Sequence, residues 1–175
     1  MMLSIAAVAV LLLSILPLIY GFSSLYSVVS GAPYVSSPTT LFPTILELAE
    51  PNPNRTFLEL GSGIGNLLVP AAKTGMQVRG VEISPLLNVL ARLRTRKFQN
   101  VQIRTGSAYD ADLSTVDVVY CYLLPAMLEK FEAKFAKELQ PGSMVISHAF
   151  KLPTKQPTRV IPKSAGLGAT YIYTY

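Results

Sequence analysis

The run Phe57-Leu58-Glu59-Leu60-Gly61-Ser62-Gly63-Ile64-Gly65 is a β-type segment passing into three glycines at alternate positions. Glycines belong where a backbone must turn tightly and approach a ligand with no Cβ in the way. The spacing is G-x-G-x-G; a dinucleotide fingerprint would place its third glycine at Asn66. Seventeen residues beyond Gly65, Glu82 closes the run Gly80-Val81-Glu82, and a carboxylate at a strand end can accept both ribose hydroxyls of a nucleoside. Each half is common alone. Together, at the ends of adjacent strands, they point to an adenosine-containing cofactor. Charge then selects among such cofactors. A pyrophosphate calls for helix-terminal N–H donors and often nearby basic residues, yet Glu59 precedes the loop and no basic residue follows before Lys73. A carboxylate beside the loop suits an ammonium or sulfonium, which points to S-adenosylmethionine.

The elements that must position these residues follow from alternation. β-type runs occur at Arg55 to Leu60, Gln77 to Ile83, Val101 to Thr105, Val116 to Tyr122 and Ser143 to Ser147. Helical patterns lie between some of them, at Ile64 to Thr74, Pro85 to Lys97 and Pro125 to Leu139, with an earlier one at Leu41 to Glu50. This order predicts a parallel sheet covered on both faces. Two further runs, Thr158 to Ile161 and Thr170 to Tyr175, are close enough for a hairpin. The sheet is therefore expected to have about seven strands and an antiparallel edge at its C-terminal end.

The front of the chain differs from the rest. Mean hydropathy is +0.40 over 175 residues, and 22 of the first 30 residues are hydrophobic. The first charged residue is Glu47 and the first basic one Arg55, which fits neither an Arg-rich presequence nor a signal with a basic leader. Leu3 to Phe22 would reach about 30 Å as a helix, the thickness of a bilayer core. Residues 1–30 are thus expected to form a transmembrane anchor and its flank, and residues 31–175 the catalytic domain. Pro17 is a kink that such helices tolerate, and an uncleaved signal-like stretch or a buried core helix is the alternative. Every Lys and Arg follows the span, so the domain is expected on the cytoplasmic side or its organellar equivalent. A lone Cys121 can form no internal disulfide, and no zinc-type spacing occurs.

The glycine loop and Gly80-Val81-Glu82 resemble the first two motifs of class I S-adenosylmethionine-dependent methyltransferases. A narrower likeness rests on Pro33-Tyr34-Val35-Ser36-Ser37-Pro38, on Gly106-Ser107 with Asp110 to Leu113, and on Asp117-Val118-Val119-Tyr120-Cys121-Tyr122-Leu123-Leu124-Pro125. These segments resemble the membrane-anchored protein lysine methyltransferases, a family that includes the mitochondrial enzymes of the ATP synthase c-subunit and the adenine nucleotide translocase, together with prokaryotic relatives. The likeness implies a Rossmann-like, doubly wound seven-stranded α/β sheet. It also implies that Glu59, Gly61 and Gly63 hold the methionine side of S-adenosylmethionine, with Gly65 a further cofactor-binding residue, that Glu82 holds the ribose, and that Ile83, Ser107 and Ala108 lie near the adenine. Tyr34 and Ser37 would close the site. Three departures stand out: Ile64 and Asn66 replace frequent Asp and Arg, Ser36 replaces a frequent Pro, and Ser107 replaces an Asp or Asn.

Methyl transfer from a sulfonium is an in-line displacement with an excellent leaving group, so alignment and desolvation supply most of the help. The implied acceptor, a lysine, must first lose a proton, and an apolar aromatic pocket lowers its pKa. Tyr122, at the end of the fourth strand, is the candidate for steering the amine; Tyr120 is expected to point into packing. His148, the sole histidine, is a candidate for relaying a proton or positioning the acceptor, with a structural role as the alternative. Asp117 and Cys121 are read as structural. Arg92, Arg94, Arg96 and Lys97 are spread around their helix, which favours a solvated end or contact with anionic lipid over nucleic acid. The expected partners are thus a protein presenting a lysine, in or at the same membrane, and the bilayer itself. A small-molecule or lipid methyltransferase and a degenerate cofactor-binding regulatory module are the alternatives.

Overall fold

A computed structural model describes residues 35–163 and 168–175, together with Val10, Leu13, Ser14, Pro17 and Gly21 of the N-terminal segment. Those five are helical and exposed. The rest of the expected span, and Tyr34, lie outside the described residues. No helix among the described residues is long and apolar enough to cross a membrane.

Seven strands form one sheet in the order β3-β2-β1-β4-β5-β7-β6. They are β1 (Thr56–Leu60), β2 (Gln77–Glu82), β3 (Val101–Thr105), β4 (Val118–Cys121), β5 (Met144–His148), β6 (Arg159–Ile161) and β7 (Thr170–Thr174). The first five are parallel. All five residues of β1 are buried, as a central strand covered on both faces requires. The expected hairpin is present, with β6 and β7 antiparallel. However, β7 pairs with β5 as well, so the strand that runs against the others lies one place in from the edge and β6 forms the edge itself. Between β1 and β4 the strand order reverses, and the carboxyl ends of the strands at such a point leave a crevice for a ligand.

Four helices flank the sheet: α1 (Phe42–Leu48), α2 (Leu68–Lys73), α3 (Pro85–Thr95) and α4 (Pro125–Glu138). Alternation along the strands separates two cores. On one face Phe57, Val78, Val118 and Tyr120 pack with Phe42 and Ile45 of α1, Leu68 of α2 and Ala91 of α3. On the other, Leu58, Val119 and Tyr173 meet the Leu128, Phe131 and Phe135 stripe of α4. α3 starts where Ser84 caps it, its hydroxyl accepting from the Leu87 amide, with Pro85 in the first turn. α2 starts four residues later than the sequence pattern predicts. Gly61, Gly63 and Gly65 have φ of +77°, +53° and +77°, left-handed values that hold this stretch in a loop instead of a helix.

Candidate active site

The glycine loop leaves β1 and turns back over the end of β2. The amides of Gly61 and Ser62 donate to the Val81 carbonyl, at 2.9 and 3.0 Å, and the Gly65 amide to that of Ser62, at 2.8 Å. Two close approaches depend on absent side chains. A Cβ on Gly65 would stand 3.2 Å from Ala91 of α3, and one on Gly80 would stand 2.8 Å from Ser62 Oγ and Leu68 Cδ1. Gly80 thus leaves the room in β2 that the loop occupies, a role the sequence does not announce.

Glu82 is buried and fixed from two sides. Gly63 donates its amide to Oε2 and Ser84 its amide to Oε1, both at 2.8 Å. Each carboxylate oxygen keeps a second lone pair that could accept from a further donor. The Gly106 amide donates to the Glu82 carbonyl, which holds the end of β3 beside that of β2. This brings Ser107 and Ala108, both half-buried, to the strand end next to half-buried Ile83. The Ser107 hydroxyl accepts from the Tyr109 amide at 3.2 Å and caps the short turn Ala108–Asp110.

Glu59 stands on the same face of β1 as Phe57 and is 7% exposed. Burial, and then the charge of Glu82, hold its carboxyl well above the ordinary value. Neither its Oε2 nor the Ser62 hydroxyl finds a hydrogen-bond partner among the described residues. Both line one cleft, together with Gly61, Ser36, Ser37 and Tyr120. Two orphaned polar oxygens, one of them on a desolvated acid, make a receptor for a cationic donor. Residues 35–38 cross this cleft as a strap: Ser37 Oγ and Tyr120 OH are 2.7 Å apart, and Asn66 Nδ2 donates to Ser36 Oγ at 3.1 Å. Tyr120 is buried, as expected, but it lies in the site and its hydroxyl holds the strap. Burial raises its pKa, so it remains protonated.

Tyr122 continues the face of Tyr120, lines the same cleft and is half-buried. Its ring meets His148 edge to face, with centroids 4.9 Å apart and 73° between planes, and lies 6.4 Å from Phe150. His148 ends β5 and is 2% exposed. Its Nδ1 is 3.1 Å from Thr170 Oγ1, and burial lowers its pKa, keeping the ring neutral. The chain reverses at Ala149, whose φ of +66° is left-handed for a residue with a Cβ. Gly168 lies against it, where a Cβ would come within 2.9 Å of the Ala149 Cβ. Asp117 and Cys121 lie away from these groups. Asp117 accepts from the Thr56 amide at 2.7 Å, and burial pushes the Cys121 thiol up to about 12.

Residues 59–159, which hold the glycine loop, Glu82, Tyr122 and His148, match the family described as the ANTKMT methyltransferase domain. The chain belongs to this family. It is an S-adenosylmethionine-dependent methyltransferase. A protein-lysine N-methyltransferase of Saccharolobus islandicus is 30% identical over 154 residues, 85% of this chain and 96% of that relative. The adenine nucleotide translocase lysine N-methyltransferase of Mus musculus is 31% identical over 147 residues, and the chain spans 62% of its length. Among solved structures, an RNA methyltransferase from Salinibacter ruber in complex with S-adenosylhomocysteine aligns with a TM-score of 0.75 and 33% identity, over 80% of this chain and 93% of that one. The orphaned oxygens of Glu59 and Ser62, beside a loop open to close approach, fit the cofactor of this methyltransferase.

Proposed function

We propose that the methyltransferase acts on the ε-amine of a lysine in a protein held at the same membrane as its own N-terminal segment, with residues 1–30 as anchor and residues 31–175 as catalytic domain. The observation that carries this reading is the position of Tyr122, which lines the cofactor cleft and also belongs to the aromatic group of His148 and Phe150. The names of the archaeal and mouse relatives, which specify protein lysine, support the acceptor class.

When bound, S-adenosylmethionine supplies a methyl group on a good leaving group. Glu59 and the Ser62 hydroxyl, against the backbone of Gly61, Gly63 and Gly65, would hold its methionine end, Glu82 its ribose, and Ile83, Ser107 and Ala108 its base, with Tyr34 and Ser37 as the residues that would close over it. Tyr122 receives the acceptor. Its ring attracts the ammonium on approach, and the apolar surround lowers the amine's pKa until its lone pair is available. His148 stands behind Tyr122 and is tied to Thr170, so its part is to fix the tyrosine ring. Leu124, two residues beyond Tyr122, is 42% exposed, which supports an open approach suited to a side chain presented on a protein, whereas a lipid acceptor calls for an enclosed apolar cavity.

The test is methyl-lysine formation in a membrane-protein extract, read by mass spectrometry. Tyr122→Ala lowers the rate about tenfold, within the range of a desolvated cation–π contact, and Tyr122→Phe retains most of it. Equal rates for wild type and Tyr122→Ala contradict the assignment.

A further inference from the structure

The outer side of α3 serves neither the core nor the cleft. Ala91, Asn88 and Thr95 are its buried residues, and Arg92 is committed to the fold through Asn88 Oδ1 and the Ile103 carbonyl. Opposite them, Val89, Leu90 and Leu93 are 53%, 40% and 55% exposed, and half-buried Leu86 extends the row. Positions 86, 89, 90 and 93 make one continuous helical stripe. At its end stand Arg94, Arg96 and Lys97, all exposed and none in an ion pair among the described residues. No acidic residue occurs from Pro85 to Asn100.

An exposed apolar stripe bordered by cations alone has the chemistry of an interfacial helix, with apolar side chains among acyl chains and cations at head-group phosphates. We propose that α3 docks the catalytic domain on an anionic lipid surface, with Leu86, Val89, Leu90 and Leu93 entering the interface and Arg94, Arg96 and Lys97 meeting the phosphates. The connectivity agrees. Gly65 packs on Ala91 of α3, and the next residue, Asn66, holds Ser36 of the strap. The strap continues from the uncharged N-terminal segment, in which Val10 and Leu13 are 66% and 70% exposed. α3 and the strap therefore both touch the glycine loop region, from different parts of the chain. This docking is separate from the choice of acceptor.

The full chain tests it, labelled at Val89→Cys or, as the control, at Glu129→Cys on α4 with an environment-sensitive fluorophore; native Cys121 is buried and escapes the label. The labelled chains are placed in phosphatidylcholine vesicles with or without phosphatidylserine and exposed to an aqueous quencher, and cofactor titration verifies their folding. The expected result is protection at position 89 but not 129, with phosphatidylserine. Changing Arg94, Arg96 and Lys97 to Gln then lowers the docked-to-undocked ratio about fivefold per charge. An anchor acting alone leaves both positions equally accessible, which overturns the proposal. So does equal protection without phosphatidylserine, or protection only when membrane proteins are added, which would make the face a protein-docking surface.

Discussion

Glu59 is buried beside a second carboxylate, a position that costs the ligand-free protein stability and, on the proposed cofactor pose, gives the liganded one affinity. Its pKa is higher in the folded chain than in the unfolded one because of burial and then Glu82. Its contribution to stability is therefore complete in acid and is lost as pH rises towards the folded value. Glu59→Gln removes that loss: the ligand-free variant melts higher than wild type at neutral pH, by about 1–3 kcal/mol in stability. The same change removes the carboxylate proposed to meet the cofactor's cationic end and is expected to weaken binding about 10-fold to 100-fold, as for a charge-assisted hydrogen bond. A variant that is no more stable and binds equally well contradicts this role. Binding of a cation favours the ionised acid, so Glu59 would release its proton to solvent when the cofactor binds beside it. Affinity rises with pH until the ligand-free pKa is passed, then levels. Calorimetry in buffers of different ionisation enthalpy detects proton release in wild type that is reduced in Glu59→Gln.

At the scale of elements, the glycine loop works because β2 makes room for it. Gly80→Ala pushes a Cβ to 2.8 Å from Ser62 Oγ and Leu68 Cδ1. Ser62 has little freedom to retreat, so the loop must shift. Thermal melts are expected to show a loss of about 1–3 kcal/mol, typical of overpacking, and titration a weaker cofactor affinity; unchanged values for both contradict the close-packing account. Much of this layout is legible in sequence. β1 and the turn at Gly61 follow from a hydrophobic run broken by alternate glycines, and α4 from Pro125 at one end and Pro141-Gly142 beyond the other. The strap is not legible. Ser37 and Tyr120 are 83 residues apart, and they meet because α1, which follows the strap, packs on the face of the sheet that carries Tyr120. The Tyr122–His148 pair likewise depends on β4–β5 pairing, and the depth of His148 on β7 lying outside β5. The left-handed turn at Ala149 has no signal in residue type, since a distant glycine, Gly168, provides the space for it.

At the scale of the whole molecule, the polarity of the chain has a direction. Its opening 46 residues carry no side-chain charge, while the remainder supplies all 15 Lys and Arg against 10 Asp and Glu. The proposed anchorage on the acceptor's own surface would give a high effective concentration and call for no large docking insert. The seven strands and four helices described leave the cleft at one end of the sheet, with Tyr122 at its rim. The acceptor is identified by incubating the full chain with radiolabelled S-adenosylmethionine and an extract divided into membrane protein, soluble protein, lipid and RNA. Action on a membrane-held protein lysine predicts label in the membrane-protein fraction, released on hydrolysis as methylated lysine. Label confined to lipid, to RNA or to soluble protein contradicts it.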